Sequence, residues 1–249
     1  MTLFYGKMQS SRMKIQTPLP QLEQIHHEVT QCKKCPRLRK YCAEIAQLKR
    51  RSFQDDTYWG RPVPGFGDPE AELFVLGLAP AAHGANRTGR IFTGDRSGEW
   101  LYRALYDARF SNQAESQKPG DGLRPINTYI SCIVKCAPPH NKPTPQELKN
   151  CSHFLQDELQ ALKSVEVYIV LGQMAYQALW TLLKPNQKRP PFQHGVQINL
   201  DEGKCMILSY HPSQQNTFTG KLTQPMFDSV FNAARTHLSQ DVRKTNEFQ

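Results

Sequence analysis

Four short apolar runs constrain this chain more than any other feature. Residues 72–78, 128–134, 165–171 and 204–210 are each rich in β-branched residues or leucine, and apolar nearly throughout. A strand with one wet face alternates polar with apolar side chains, whereas a strand covered on both faces does not. The four runs therefore read as buried parallel strands. Apolar residues recur at helical spacing over 98–108, 145–162, 172–183 and 224–238. Strands alternating with helices predict an α/β sandwich with a parallel central sheet. The working residues of such sheets lie in loops after the C-terminal ends of the strands. That rule directs attention to residues 77–97, 135–145, 172–175 and 211–223.

The 249 residues suit one domain, 18–239, with polar aperiodic ends at 1–17 and 240–249 that are expected to be frayed. A hydrophobic fraction of 39% with 18 prolines predicts long ordered loops. No apolar run reaches the roughly 18 to 20 residues that span a membrane. The first residues lack a secretory pattern. Seven cysteines, an odd number, argue against a secreted disulfide framework. The expected setting is cytoplasmic. A net charge of +9 favours a polyanionic partner through phosphate neutralisation and counterion release.

Four cysteines stand as Cys32-x2-Cys35 and Cys136-x14-Cys151, the first pair inside a helix–turn–helix pattern over 19–48. Such unequal spacings suit a cubane iron–sulfur cluster, whose irons point to four separated corners. A zinc site is the second reading, although zinc more often uses two short knuckles; four ordinary buried cysteines are the third. Cys42 falls outside this set, and Cys132 and Cys205 lie within predicted strands as small hydrophobes. Trp59, Trp100 and Trp180 read as packing residues.

The loop after the first strand runs Gly77-Leu-Ala-Pro-Ala-Ala-His-Gly84 and on through Gly89-Arg-Ile-Phe-Thr-Gly-Asp95 into a helix. Backbone N–H groups freed by its glycines can bind phosphate or a carbonyl oxygen. It fits neither the P-loop nor the Rossmann fingerprint. Asp95 is either a helix cap or a reacting carboxylate. The loop after the last strand begins His211-Pro-Ser and continues through polar residues with Phe218, Lys221 and Leu222. A histidine there can donate to a ligand or bond locally in a turn. The remainder suits a segment pressed into a DNA groove, with side chains able to fill a vacated stack.

Taken in order, Gly77-Leu-Ala-Pro-Ala-Ala-His-Gly84, Gly89-Arg-Ile-Phe-Thr-Gly-Asp95, Lys135-Cys-Ala-Pro-Pro139 and His211-Pro-Ser213 resemble the uracil-DNA glycosylase superfamily. With the four cysteines they look most like its family 5, the iron–sulfur-containing type b enzymes, across roughly residues 20 to 238. The resemblance implies a three-layer α/β/α sandwich with a central four-stranded parallel sheet. It implies a monofunctional glycosylase that acts on double-stranded DNA containing uracil; a monomer is expected, because binding a lesion in a pocket does not require twofold symmetry. It implies a structural [4Fe–4S] cluster on Cys32, Cys35, Cys136 and Cys151. In that picture Phe92 stacks on the extruded base and His211 donates to its carbonyl oxygen. Asp95 handles water and the cationic sugar, and Asn141 contributes near the base or the water. Gly77, Ala79, Ala81 and His83 line the base-binding loop.

Two departures from other branches matter. Leu78-Ala79 follow the first glycine where those branches place a polar residue, which moves water handling to Asp95. Ser131-Cys132 stand where they place a strand asparagine that reads the uracil edge. Sites that must satisfy a buried polar group reject analogues most strongly, so losing that amide loosens discrimination. The expected range is uracil first, with hypoxanthine, xanthine and etheno bases following. The alternatives are a narrow uracil-only family 4-type glycosylase and a non-catalytic DNA-lesion-binding protein.

Overall fold

The computed structural model describes residues 21–246, with side chains to residue 239. Two helices come first, α1 (Gln21–Gln31) and α2 (Pro36–Leu48). The strand β1 (Phe66–Gly67) precedes β2 (Leu73–Gly77), α3 (Ala85–Thr88), α4 (Arg96–Asp107) and β3 (Thr128–Cys132). Next come α5 (Pro145–Ala161), β4 (Val167–Leu171), α6 (Gln173–Leu183), β5 (Gln197–Asn199) and β6 (Cys205–Ser209). Then α7 (Gln214–Phe218) and α8 (Gln224–Asn246) complete the order.

The four apolar runs are β2, β3, β4 and β6, every residue of them buried, and they pair in parallel in the order β3-β2-β4-β6. Alternate side chains serve opposite layers. Phe74, Leu76, Tyr129, Tyr168, Val170, Met206 and Leu208 face α1, α2, α5 and α6. Leu73, Val75, Ile130, Val167, Ile169, Cys205 and Ile207 face α4 and α8. The result is the α/β/α sandwich.

Among the described residues the sheet has six strands, two more than the four-stranded expectation. The edge strands β1 and β5 run antiparallel to their neighbours β3 and β6. One is two residues long and the other three, with partly exposed side chains, so neither carries an apolar run. The expectation for residues 1–17 lies outside the described residues. The backbone of α8 continues through much of the segment read as a frayed end, 240–249. No helix among the described residues is long and apolar enough to cross a membrane.

Connectivity fixes where a ligand belongs. From β2 the chain moves outward to β3, then returns past β2 to β4. The strand order reverses between β2 and β4, and open α/β sheets bind ligands in the crevice at that reversal.

Candidate active site and cysteine cluster

The end of β2 is shaped by Phe92. A Cβ on Gly77 would lie 2.6 Å from Phe92 Cζ, so only glycine lets the ring lie across the strand end. Phe92 is buried and has a φ of 50°, a left-handed conformation that a bulky residue keeps only where its surroundings enforce it. That enforcement comes from a fastened loop. Arg90 donates through Nη1 and Nη2 to Asp121 at 2.8 and 2.6 Å, through Nη2 to Ser116 at 2.9 Å, and through Nε to Thr93 at 2.9 Å. Burial pushes the Asp121 carboxyl up, but the Arg90 fork and the N–H groups of Gln117, Leu123 and Lys118 outweigh it and hold it well below the usual range. Arg87 fastens the other side, donating to Asp56 at 2.6 Å, Gly94 O at 2.9 Å and His83 O at 2.8 Å.

His211 follows the end of β6, and its ring stacks on Phe92 with centroids 5.9 Å apart and planes inclined by 30°. Its backbone carbonyl accepts from Ser213 N at 2.8 Å and Asn216 Nδ2 at 2.9 Å. The ring nitrogens take no partner among the described residues, so the local turn bond considered from the sequence is made by the backbone instead. Burial lowers the imidazole to about 4, which leaves it neutral at physiological pH. A neutral imidazole with free ring nitrogens can donate from one of them to a ligand.

Asp95 caps α4, accepting from Gly98 N at 3.0 Å through Oδ1. Its other oxygen packs against Gly84. Burial raises the Asp95 carboxyl, against the lowering effect of N–H groups on Gly98 and Ser97. The cap begins the helix at Arg96, two residues ahead of the sequence reading. A cleft of about 920 Å³ opens beside Asp95, lined by Arg87, Glu99, Trp100, Arg103 and Lys118. Its size is that of a small-ligand site. On α7, Phe218 is 68% exposed, with the Arg96 guanidinium 4.7 Å from its ring centre.

The remaining sequence candidates are less closely joined to this group. His83 Nδ1 bonds Tyr58 Oη at 3.0 Å, and burial, with Arg50 and Arg87, lowers its pKa. Ala81 O accepts from Gly84 N and Asn86 N, and Ala79 packs on the sheet layer that holds α5. Asn141 is exposed on the short turn Pro139–Asn141, with a φ of 56°, and its side chain makes no hydrogen bond among the described residues. Ser131 is fully buried and donates to Glu158 at 2.8 Å. Arg90, Arg87, Ser116 and Asp121 were not singled out from the sequence, because their partners lie on separate loops.

The four cysteines come from three directions: Cys32 follows α1, Cys35 caps α2, Cys136 follows β3, and Cys151 lies in α5. All four line one hollow, with Leu38, Val134 and Phe154 forming apolar walls. Arg37 and Glu147 bring the starts of α2 and α5 together through a fork at 2.8 and 2.7 Å. Glu147 also completes a capping box with Thr144. Lys135 N donates to Cys151 Sγ at 3.3 Å, and Asn150 Nδ2 to Cys35 Sγ at 3.6 Å. No disulfide joins any of the seven cysteines, and Cys42 donates to Ala137 O at 3.6 Å beside Cys136. Among the described residues no group of three or more His, Cys, Asp or Glu is arranged to hold a single metal ion, whereas a cubane cluster takes its thiolates at four separated corners.

The sequence profile of the uracil DNA glycosylase superfamily matches residues 64–235, which run from just before β1 into α8. The chain belongs to the uracil-DNA glycosylase superfamily. A type-5 uracil-DNA glycosylase of Thermus thermophilus is 48% identical over 207 residues, covering 83% of this chain and 94% of that protein. One of Mycobacterium bovis is 47% identical over 209 residues, covering 83% and 78%. One of Pyrobaculum aerophilum is 40% identical over 221 residues, covering 89% and 95%. Within this uracil-DNA glycosylase fold, α1 and α2, with Cys32 and Cys35 between them, precede the matched span.

Proposed function

We propose that this chain is a DNA glycosylase that turns uracil out of double-stranded DNA and hydrolyses its N-glycosidic bond, leaving an abasic site. The observation that carries the reading is the Phe92–His211 pair at the sheet's crossover, with a neutral imidazole free to donate. The similarity to type-5 uracil-DNA glycosylases supports the same reading.

A base inside a duplex is out of reach at its glycosidic bond, and extruding it costs a few kcal/mol. Phe92 offers the extruded ring a stacking surface. His211 donates toward the carbonyl oxygen on which negative charge develops as the bond breaks, stabilising the transition state more than the ground state. In its carboxylate form Asp95 opposes the positive charge on the sugar and accepts a proton from attacking water. Phe218, exposed on its short helix, fills the gap left in the stack.

A range beyond uracil, including hypoxanthine, xanthine and etheno bases, is part of the proposal. Ser131 is committed to Glu158 and Lys135, which supports a pocket with no side-chain amide to reject other bases. The four cysteines are proposed to hold a [4Fe–4S] cluster, since they surround one hollow with N–H donors on two of the sulfurs. Such a cluster would order the loops that flank it and take no part in the hydrolysis.

The test is base release from duplexes carrying one U·G, U·A or hypoxanthine·T pair, read as alkali-sensitive sites, alongside iron and zinc content of the purified protein. Release of both uracil and hypoxanthine is expected. Uracil alone would point to a narrow enzyme, and binding without release to a lesion-binding protein. Zinc in place of iron would refute the cluster.

A further inference from the structure

A single hydrogen-bonded network crosses the layer between the sheet and the helices α1 and α5. Its centre is an ion pair removed from water, Lys135 at 1% exposure with Glu158 at 0%. Lys135 Nζ donates to Glu158 Oε1 at 2.8 Å, to Oε2 at 2.7 Å and to Ser131 Oγ at 2.6 Å, so all three ammonium protons have acceptors. Ser131 donates to Glu158 Oε2 at 2.8 Å. Tyr129 Oη reaches Glu158 Oε1 at 3.5 Å and bonds His26 Nε2 at 2.7 Å.

The membership of this network follows the cysteines. His26 lies on α1, which leads to Cys32 and Cys35. Tyr129 and Ser131 lie on β3, and Lys135 adjoins Cys136. Glu158 lies on α5 two turns beyond Cys151, on the same helix face. The Lys135 backbone reinforces the arrangement: its N–H donates to Cys151 Sγ, and its carbonyl accepts from Val63 N at 2.7 Å. A buried ion pair is weak as a source of stability, since well-packed apolar residues of similar volume often serve as well. What it supplies is a fixed geometry among the segments that it joins.

We propose that Lys135, Glu158, Ser131, Tyr129 and His26 are positioning residues for the four thiols, setting the spacing at which Cys32, Cys35, Cys136 and Cys151 hold their metal cluster. This rests on the cluster reading given under the proposed function. Groups just outside the ligands commonly govern metal retention in this way, and their loss weakens binding about 10- to 100-fold.

The test uses the full chain isolated without oxygen. Iron and sulfide per chain, visible absorbance and the rate of iron loss to a chelator are measured beside thermal unfolding. The double variant Lys135→Met/Glu158→Leu removes the pair without leaving a charge unpaired. Tyr129→Phe deletes one hydroxyl and the link to α1. Val230→Ala, buried on the opposite layer, is the control for general loss of stability. The double variant is expected to release iron about 10- to 100-fold faster than wild type, Tyr129→Phe measurably faster, and the control at the wild-type rate. Should the double variant not fold, Tyr129→Phe decides. Iron release in the network variants no faster than in Val230→Ala would overturn the proposal while leaving the cluster in place. A wild-type chain without iron would overturn both.

Discussion

Asp95 and Gly84 meet so closely that a Cβ on Gly84 would stand 1.9 Å from Asp95 Oδ2. One carboxylate oxygen is thus set by a helix N–H and the other by a missing side chain. Gly84→Ala must push the carboxylate aside, because the added methyl would fall on it. Small displacements of a reacting group cost about 100-fold in rate. The expectation is a kcat for uracil release lowered about 100-fold with duplex affinity nearly unchanged, measured by single-turnover kinetics and DNA titration.

Asp95→Asn separates the cap from the chemistry. Asparagine caps a helix about as well as aspartate, so α4 keeps its start. Burial raises the Asp95 pKa, so the folded chain holds that proton more tightly than the unfolded chain. Wild type therefore loses stability as pH rises through the raised pKa. The asparagine variant has no such loss, and its Tm at neutral pH is expected to equal or exceed that of wild type. Base release is expected to fall about 100- to 10,000-fold. A Tm difference that does not grow from acid to neutral pH would count against a burial-raised carboxyl.

His211 has the opposite sign. Its folded pKa, about 4, lies below the ordinary 6.5, so the unfolded chain takes up a proton that the folded chain refuses. The stability contributed by the neutral ring is complete above about pH 6.5 and is lost as pH falls toward 4. Thermal scans across that window are expected to show a steeper decline for wild type than for His211→Asn. Base release by wild type should not follow a titration near 6.5, because the donor stays neutral.

Phe218→Ala addresses extrusion. The ring is exposed, so its removal should change stability by no more than about 0.5 kcal/mol. Without a side chain to fill the stack, extrusion is penalised most where the base is well paired. Release from U·A is expected to fall more than release from U·G, in side-by-side single-turnover assays. Equal losses would assign the filling role to another side chain.

The parallel core of the sheet was legible because burial on both faces leaves unbroken apolar runs. The edge strands were not, since partners that hold two or three residues leave no pattern. Most of the helices were read within a few residues, and Asp95 accounts for the early start of α4. Lys135 was misleading: in sequence it belongs to a basic, proline-rich stretch, yet it is 1% exposed. Its partner Glu158 lies 23 residues away on a different element, and no local spacing announces such a pair. Asn141 shows a similar limit, for the motif predicts its presence but not that its side chain faces solvent. Phe92 and His211 were each found singly, while their stacking depends on two loops that only the folded sheet brings together.

The short border strands of the sheet, Phe66–Gly67 and Gln197–Asn199, have a consequence for life on a crowded polymer. A chain held at high local density along DNA would meet copies of itself edge to edge. Borders of two and three residues offer an incoming backbone only a few hydrogen bonds before they end. Neighbouring copies can therefore slide past one another without their sheets fusing into a longer one.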